Sequence, residues 1–140
     1  MRFMIIIKAD ANFESGAMPS ERLLAEFGKY NEELLRAGVL LACEGLHPSS
    51  NGARVKISGT KRTVVDGPFT ETKELIAGFW LIQVTSKEEA IEWAKRIPNP
   101  DGVDAEVENR RVFEAEDFGA DFRPEIREQE RRLRAEVANR

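Results

Sequence analysis

Hydrophobic and polar positions alternate along this chain in segments of clear period. Residues 2–8, Arg-Phe-Met-Ile-Ile-Ile-Lys, are apolar on both faces and read as a strand. Residues 10–19, with Asn12, Ser15, Gly16 and Pro19, read as a loop, and Ser20 is placed to cap a helix. Leu23, Leu24, Phe27, Tyr30, Leu34 and Leu35 then form the stripe of a half-buried helix that Gly38 ends. Residues 39–46 predict a second strand, broken by His47-Pro48, and Ser49-Ser50-Asn51-Gly52 predicts a turn. Residues 53–58 and 62–66 are short strands joined through Gly59-Thr60. Residues 77–84 form the next strand. Ser86 with Glu89 has the spacing of a capping box for a helix burying Ala90, Ile91, Trp93, Ala94 and Ile97. Pro98 and Pro100 stop it. Val103, Ala105 and Val107 alternate with acids, so residues 103–113 read as a last strand.

The order strand, helix, strand, hairpin, strand, helix, strand is two βαβ units with an inserted hairpin. That is an α+β plan of ferredoxin-like type, an antiparallel sheet with both helices on one face. The uncovered face of such a sheet is ordinarily polar. Here Phe3–Ile7, Val39–Ala42 and Phe79–Ile82 are apolar on both sides. A second apolar face needs cover, because large exposed apolar patches are rare. The expectation is a two-fold homodimer with sheets face to face. The domain is expected over residues 1–113. Residues 114–140 are a charged tail in which Phe118 and Phe122 precede Pro124 and a helix. Glu128–Arg132 and Glu130–Arg134 are i,i+4 pairs there, and Ile126, Leu133 and Val137 make a thin apolar stripe.

Composition narrows the class. A chain of 140 residues, 41% hydrophobic and 33% charged, supports one modest core. A net charge of −4 lacks the basic surface that nucleic acid requires. No apolar run is long enough to span a membrane, and the N-terminal apolar stretch is too short for a signal peptide. The single cysteine, Cys43, excludes an intrachain disulfide and a multi-cysteine metal site, so a reducing cytoplasm is the expected location. On its strand Cys43 reads as a small hydrophobe.

The candidate chemistry gathers at residues 66–74, Asp-Gly-Pro-Phe-Thr-Glu-Thr-Lys-Glu. Asp66-Gly67-Pro68 must turn sharply, since Gly has backbone freedom and Pro fixes φ. The turn delivers Asp66, Glu71, Glu74 and Lys73 at the end of a rigid element. Asp66 is a candidate acid or base, or alternatively the stabiliser of its own turn through backbone N–H groups ahead of it. Glu71 and Glu74 share a face if the segment is helical, as a metal or proton site or as solvated ion pairs. His47, the only histidine, suits proton transfer near neutral pH or is an exposed loop residue. Glu44, on the face assigned to Leu40, Ala42 and Leu46, and Arg54 on a neighbouring strand are candidates for the same cleft. Phe69 is its candidate wall. No phosphate loop or dinucleotide fingerprint appears, and no cofactor or metal is called for.

The stretch Val64 to Ile82, with its nine-residue core Asp66–Glu74, resembles the signature of the DGPF family within the wider YCII-related group. Met1–Lys8 and Glu88–Ile97 followed by Pro98 resemble it too. The resemblance covers roughly residues 1–113. It implies a ferredoxin-like subunit of a dimeric α+β barrel, with polar residues in a cleft between sheet and helices. In some members of the wider group a His–Asp pair isomerises or dehydrochlorinates lactone-like or aromatic compounds. Asp66 is the counterpart of that Asp, whereas the enzymatic relatives carry the His near the start of the domain and this chain has only His47.

Two functions follow as expectations. One is a cofactor-free isomerase or lyase acting on a small anionic or aromatic ligand, with Asp66 and His47 catalytic and Glu44, Arg54, Phe69, Glu71, Lys73 and Glu74 binding. The other is a non-enzymatic ligand-binding or regulatory module linked to transcriptional regulation.

Overall fold

Buried and half-buried side chains alternate along β1 (Arg2–Lys8), as its two-sided apolar sequence requires. The computed structural model describes residues 1–121 and 123–140, so the expectation for Phe122 lies outside the described residues. The segment expected as plain loop contains a one-turn helix, α1 (Ala11–Glu14). Asp10 nucleates it by accepting from the Phe13 N–H at 2.8 Å. Then come α2 (Glu21–Arg36), β2 (Leu40–Gly45), the hairpin strands β3 (Ala53–Ser58) and β4 (Lys61–Asp66), β5 (Ile76–Gln83), α3 (Lys87–Lys95), β6 (Val107–Arg111) and α4 (Pro124–Ala138).

The chain is α+β, with two antiparallel sheets. Four strands lie in the order β2-β5-β1-β6, and β3 pairs only with β4. The larger sheet is open, with β2 and β6 at its edges. Ile5 pairs with Trp80 and Phe3 with Ile82, so these four side chains share one face. They are buried there with Tyr30 and Leu34 of α2 and Ala90 of α3. In α2 the buried row is Tyr30 and Leu34, while Leu24 and Leu35 flank it in solvent. Trp80 meets Phe27 and Tyr30 edge-on at 5.6 and 5.2 Å, and its Nε1–H donates to Asn31 Oδ1 at 2.7 Å. Cys43 packs against this core, as a small hydrophobe would.

The helices α2 and α3 start on the serines their sequences offer. Ser20 Oγ accepts from the Leu23 N–H, and Ser86 Oγ from the Glu89 N–H. The capping box at Ser86 is displaced by one residue. Glu89 Oε2 accepts from the N–H and hydroxyl of Thr85 at 2.8 and 2.7 Å. These bonds hold the Glu89 carboxyl below its ordinary range.

The Tyr30 hydroxyl donates to the Trp93 carbonyl at 2.6 Å. Burial pushes its phenol up to about 12, with Arg96 lowering it and Glu33 raising it. The folded state therefore holds this proton more tightly than the unfolded chain, whose phenol titrates near ~10. The contribution is intact below about pH 10 and is lost as pH rises from there toward 12. Thermal midpoints of wild type should fall more steeply over that interval than those of Tyr30→Phe; parallel slopes would contradict this.

The other face of the sheet carries Met4 and Ile6 of β1, which pair with Leu81 and Phe79 of β5. No helix of the described residues packs on it to form a second core. A bulge between Leu40 and Ala42 moves β2 out of simple alternation. Leu40 pairs with Ile82 on the helix side, whereas Ala42 and Glu44 pair with Leu81 and Phe79 on the open side. Glu44 is therefore exposed and does not share a face with Leu40.

The last strand is shorter than the alternation of Val103, Ala105 and Val107 predicts. Gly102 has φ +65° and the Asn99 side chain donates to the Val103 carbonyl, so a turn occupies this stretch. The ladder begins only where β1 offers a partner, at Val107 opposite Ile7. In α4, Glu130 pairs with Arg134 as expected, but Glu128 bonds Arg131 rather than Arg132. Among the described residues, no helix is long and apolar enough to cross a membrane.

Candidate functional site

The Asp66 turn is built by two tight turns pressed together. The β3–β4 ladder pairs Ala53 with Asp66, which places Gly52 beside Gly67. The Gly67 N–H donates to the Gly52 carbonyl at 2.9 Å. A Cβ on Gly67 would lie 1.8 Å from the Ser49 carbonyl oxygen, so only glycine permits this approach. The Gly67–Pro68 bond is cis. Gly78 plays a similar part where β2 meets β5: a Cβ there would sit 2.7 Å from the Glu44 carbonyl oxygen.

Ser49 is the hub of the turn. Its hydroxyl accepts from the Phe69 N–H at 2.9 Å, and its own N–H donates to Glu14 Oε2 at 2.7 Å. The short helix α1 thus reaches across 35 residues of sequence to hold the 49–52 turn. Sequence reasoning missed Glu14 and Ser49. Ser49 was legible in principle, because pairing the two arms of the hairpin forces the Ser-Ser-Asn-Gly turn against Asp-Gly-Pro. Nothing local marks Glu14.

Three of the expected site residues come together. The Arg54 guanidinium lies 3.9 Å above the Phe69 ring and 4.0 Å from the Glu74 carboxylate. The cation is held by an aromatic face and an acid, both partly solvated. Glu74 lies in a single helical turn, Thr72–Glu74, and Glu71 immediately precedes it. Glu71 and Lys73 are exposed. His47 is exposed, and its Nδ1 is 3.0 Å from Asn51 Nδ2.

Asp66 stands apart from this group. Alternation along β4 puts Asp66, Val64 and Arg62 on one face of the hairpin and Val65 on the other, with its partner Arg54. The Phe69 N–H, a natural partner for an Asp that stabilises its own turn, goes to Ser49 instead. Among the described residues no side chain or backbone N–H occupies the Asp66 carboxylate. Two concavities lie elsewhere: a groove of about 470 Å³ between Met1, Ser86–Glu88 and Asn109–Arg111, and one of about 410 Å³ along α4. Among the described residues no three His, Cys, Asp or Glu side chains cluster as metal ligands.

Fold and site together define a small α+β domain whose distinguishing feature is a clamped Asp-Gly-Pro-Phe turn at the root of a projecting hairpin. Residues 1–116 match the model of the YCII-related domain, and the chain belongs to that family. It is also 34% identical over 79 residues to an uncharacterised protein of Rhizobium meliloti strain 1021. That match covers 56% of this chain and 64% of the relative.

Proposed function

We propose that the chain is a small-molecule protein of acid–base type, working as a homodimer of ferredoxin-like subunits. Asp66 is its reactive group. The observation that carries this reading is an exposed Asp66 carboxylate that none of the described residues occupies. The turn is held by Ser49, Gly52 and Glu14, which leaves Asp66 without a structural task. A carboxylate fixed at the end of a strand and unused by the fold is available to take or deliver a proton. His47, exposed two residues before Ser49, is the second titratable group of this proposal. Phe69 and Arg54 offer an aromatic face and a cation on the other side of the hairpin, so they join Asp66 only for an anionic or aromatic ligand that spans the turn. The reaction class is isomerisation or elimination without a cofactor.

The strand order β2-β5-β1-β6 supports the ferredoxin-like assignment, and a second apolar face whose Met4, Ile6, Phe79 and Leu81 are half-buried and outside the core supports the dimer. Wild type and Asp66→Asn should be compared across a panel of small lactones and haloaromatic acids. Turnover by wild type that falls at least about 100-fold in Asp66→Asn is the expected result, at the low end for loss of a general acid–base group. Activity that persists unchanged in Asp66→Asn would overturn the assignment, and so would equal inactivity of both proteins across a broad panel.

The second reading, a binding or regulatory module, draws on α4. Ile126, Leu133 and Val137 are all exposed along it, an apolar stripe on a charged helix. In that case the same site holds a ligand without converting it.

A further inference from the structure

Arg54 projects from β3 on the hairpin face that also carries Lys56 and Lys61, three cations with no acid among them. Ser58, Thr63 and Val65 complete that face. The Arg54 guanidinium lies 3.9 Å above the Phe69 ring, which limits where the cation can move. Among the described residues no acceptor lies within hydrogen-bond distance of it. The acid that approaches, Glu74, belongs to the segment after the hairpin, is itself largely exposed and stops at 4.0 Å. A guanidinium presents its N–H donors as a flat fork that matches the two oxygens of a carboxylate. Here the fork is positioned and its donors are unmet by protein.

An ion pair as long and as exposed as Arg54–Glu74 gains little over two solvated ions. A bidentate carboxylate makes shorter and stronger bonds. The guanidinium is weakly hydrated and already rests on a ring, so little desolvation or ordering opposes its exchange of water for an oxyanion. Lys56, on the same face, favours a ligand of the same sign. We propose that Arg54 and Phe69 form a carboxylate-binding site in which the Glu74 carboxylate stands in for that of the ligand and gives way to it. This rests on the ligand reading above, narrows its anionic ligand to a carboxylate and makes Glu74 an internal competitor rather than a ligand contact. The site lies across the hairpin from Asp66, so a carboxylate is held here whether or not Asp66 reacts with it.

Titration of wild-type protein with benzoate, followed by NMR at the Arg54 Nε–Hε and the Phe69 amide, tests the site without any turnover. Sodium chloride at matched ionic strength controls for screening. Benzoate should give a saturable shift that chloride does not reproduce. Arg54→Lys keeps the charge and loses the fork, so benzoate binding read at the Phe69 amide should weaken at least about five-fold. Glu74→Gln removes the competitor and should strengthen binding about two- to five-fold, the span that an exposed ion pair allows. Circular dichroism checks both folds, and wild type with Glu74→Gln decides the matter if Arg54→Lys does not fold. A shift that chloride matches is screening only and overturns the site. Equal binding by Arg54→Lys reduces the site to a point charge and overturns it too. Affinity unchanged or lowered in Glu74→Gln overturns the stand-in role. Saturable benzoate binding by a protein that turns over no lactone or haloaromatic acid keeps this site and removes the acid–base reading.

Discussion

Trp80→Ala is expected to lower the unfolding free energy by about 3–5 kcal/mol, as removal of a large buried aromatic does. Trp80 is only 3% exposed and sits mid-strand in β5, beneath α2. Its ring is gripped edge-on by Phe27 and Tyr30, arrangements that add to simple area burial. Truncation opens a cavity between sheet and helix and leaves Asn31 Oδ1 without its indole donor. Domains of this size are stable by about 5–15 kcal/mol, so the variant should approach the unfolding threshold at 25 °C. Trp80→Phe keeps most of the packing and should cost roughly 1–3 kcal/mol, chiefly through the lost N–H. Urea unfolding measures both. A Trp80→Ala midpoint close to wild type would contradict the placement of the core.

Gly67→Ala is expected to be the most damaging change in the Asp66 turn. Its Cβ would meet the Ser49 carbonyl oxygen at 1.8 Å and the Ser49 carbonyl carbon at 2.7 Å, both backbone atoms that no rotamer change can move aside. Either the 49–52 turn retreats or residues 66–69 do, and in both cases Ser49 loses the Phe69 N–H. A cost of about 3 kcal/mol is the upper end for overpacking. Gly28→Ala makes the control. Gly28 lies in the exposed middle of α2 with nothing within 4 Å of the added Cβ, so it should gain roughly 0.5–1 kcal/mol of stability. Equal effects at the two glycines would contradict the clamp.

Much of this architecture is written locally. The serine caps at Ser20 and Ser86, the Phe27–Tyr30–Leu34 face and the doubly apolar β1 each follow from a few neighbouring residues. Where the sequence misleads, a distant partner has decided. The alternation at Val103 and Ala105 predicts strand, yet β1 ends at Lys8 and offers no ladder beyond the Lys8 N–H bond to Glu106. Period two assigns Leu40 and Glu44 to one face, and a single bulge at Leu41 separates them. The segment 66–74 was legible as a turn carrying acids, and its resemblance led to the family. Of its supports, Ser49 was legible only through the hairpin pairing and Glu14 not at all. Glu14 and Ser49 meet only because α1 and the 49–52 turn are brought together by the sheet. The same hairpin register that joins Arg54 to the Phe69 side turns Asp66 to the other.

The proposed working unit is a pair of chains, with the open sheet face of each covered by the other. Sedimentation equilibrium of wild-type protein over a micromolar dilution series tests this most directly. A particle of twice the 15.8 kDa chain mass is the predicted result. A species of 15.8 kDa at every concentration would contradict it.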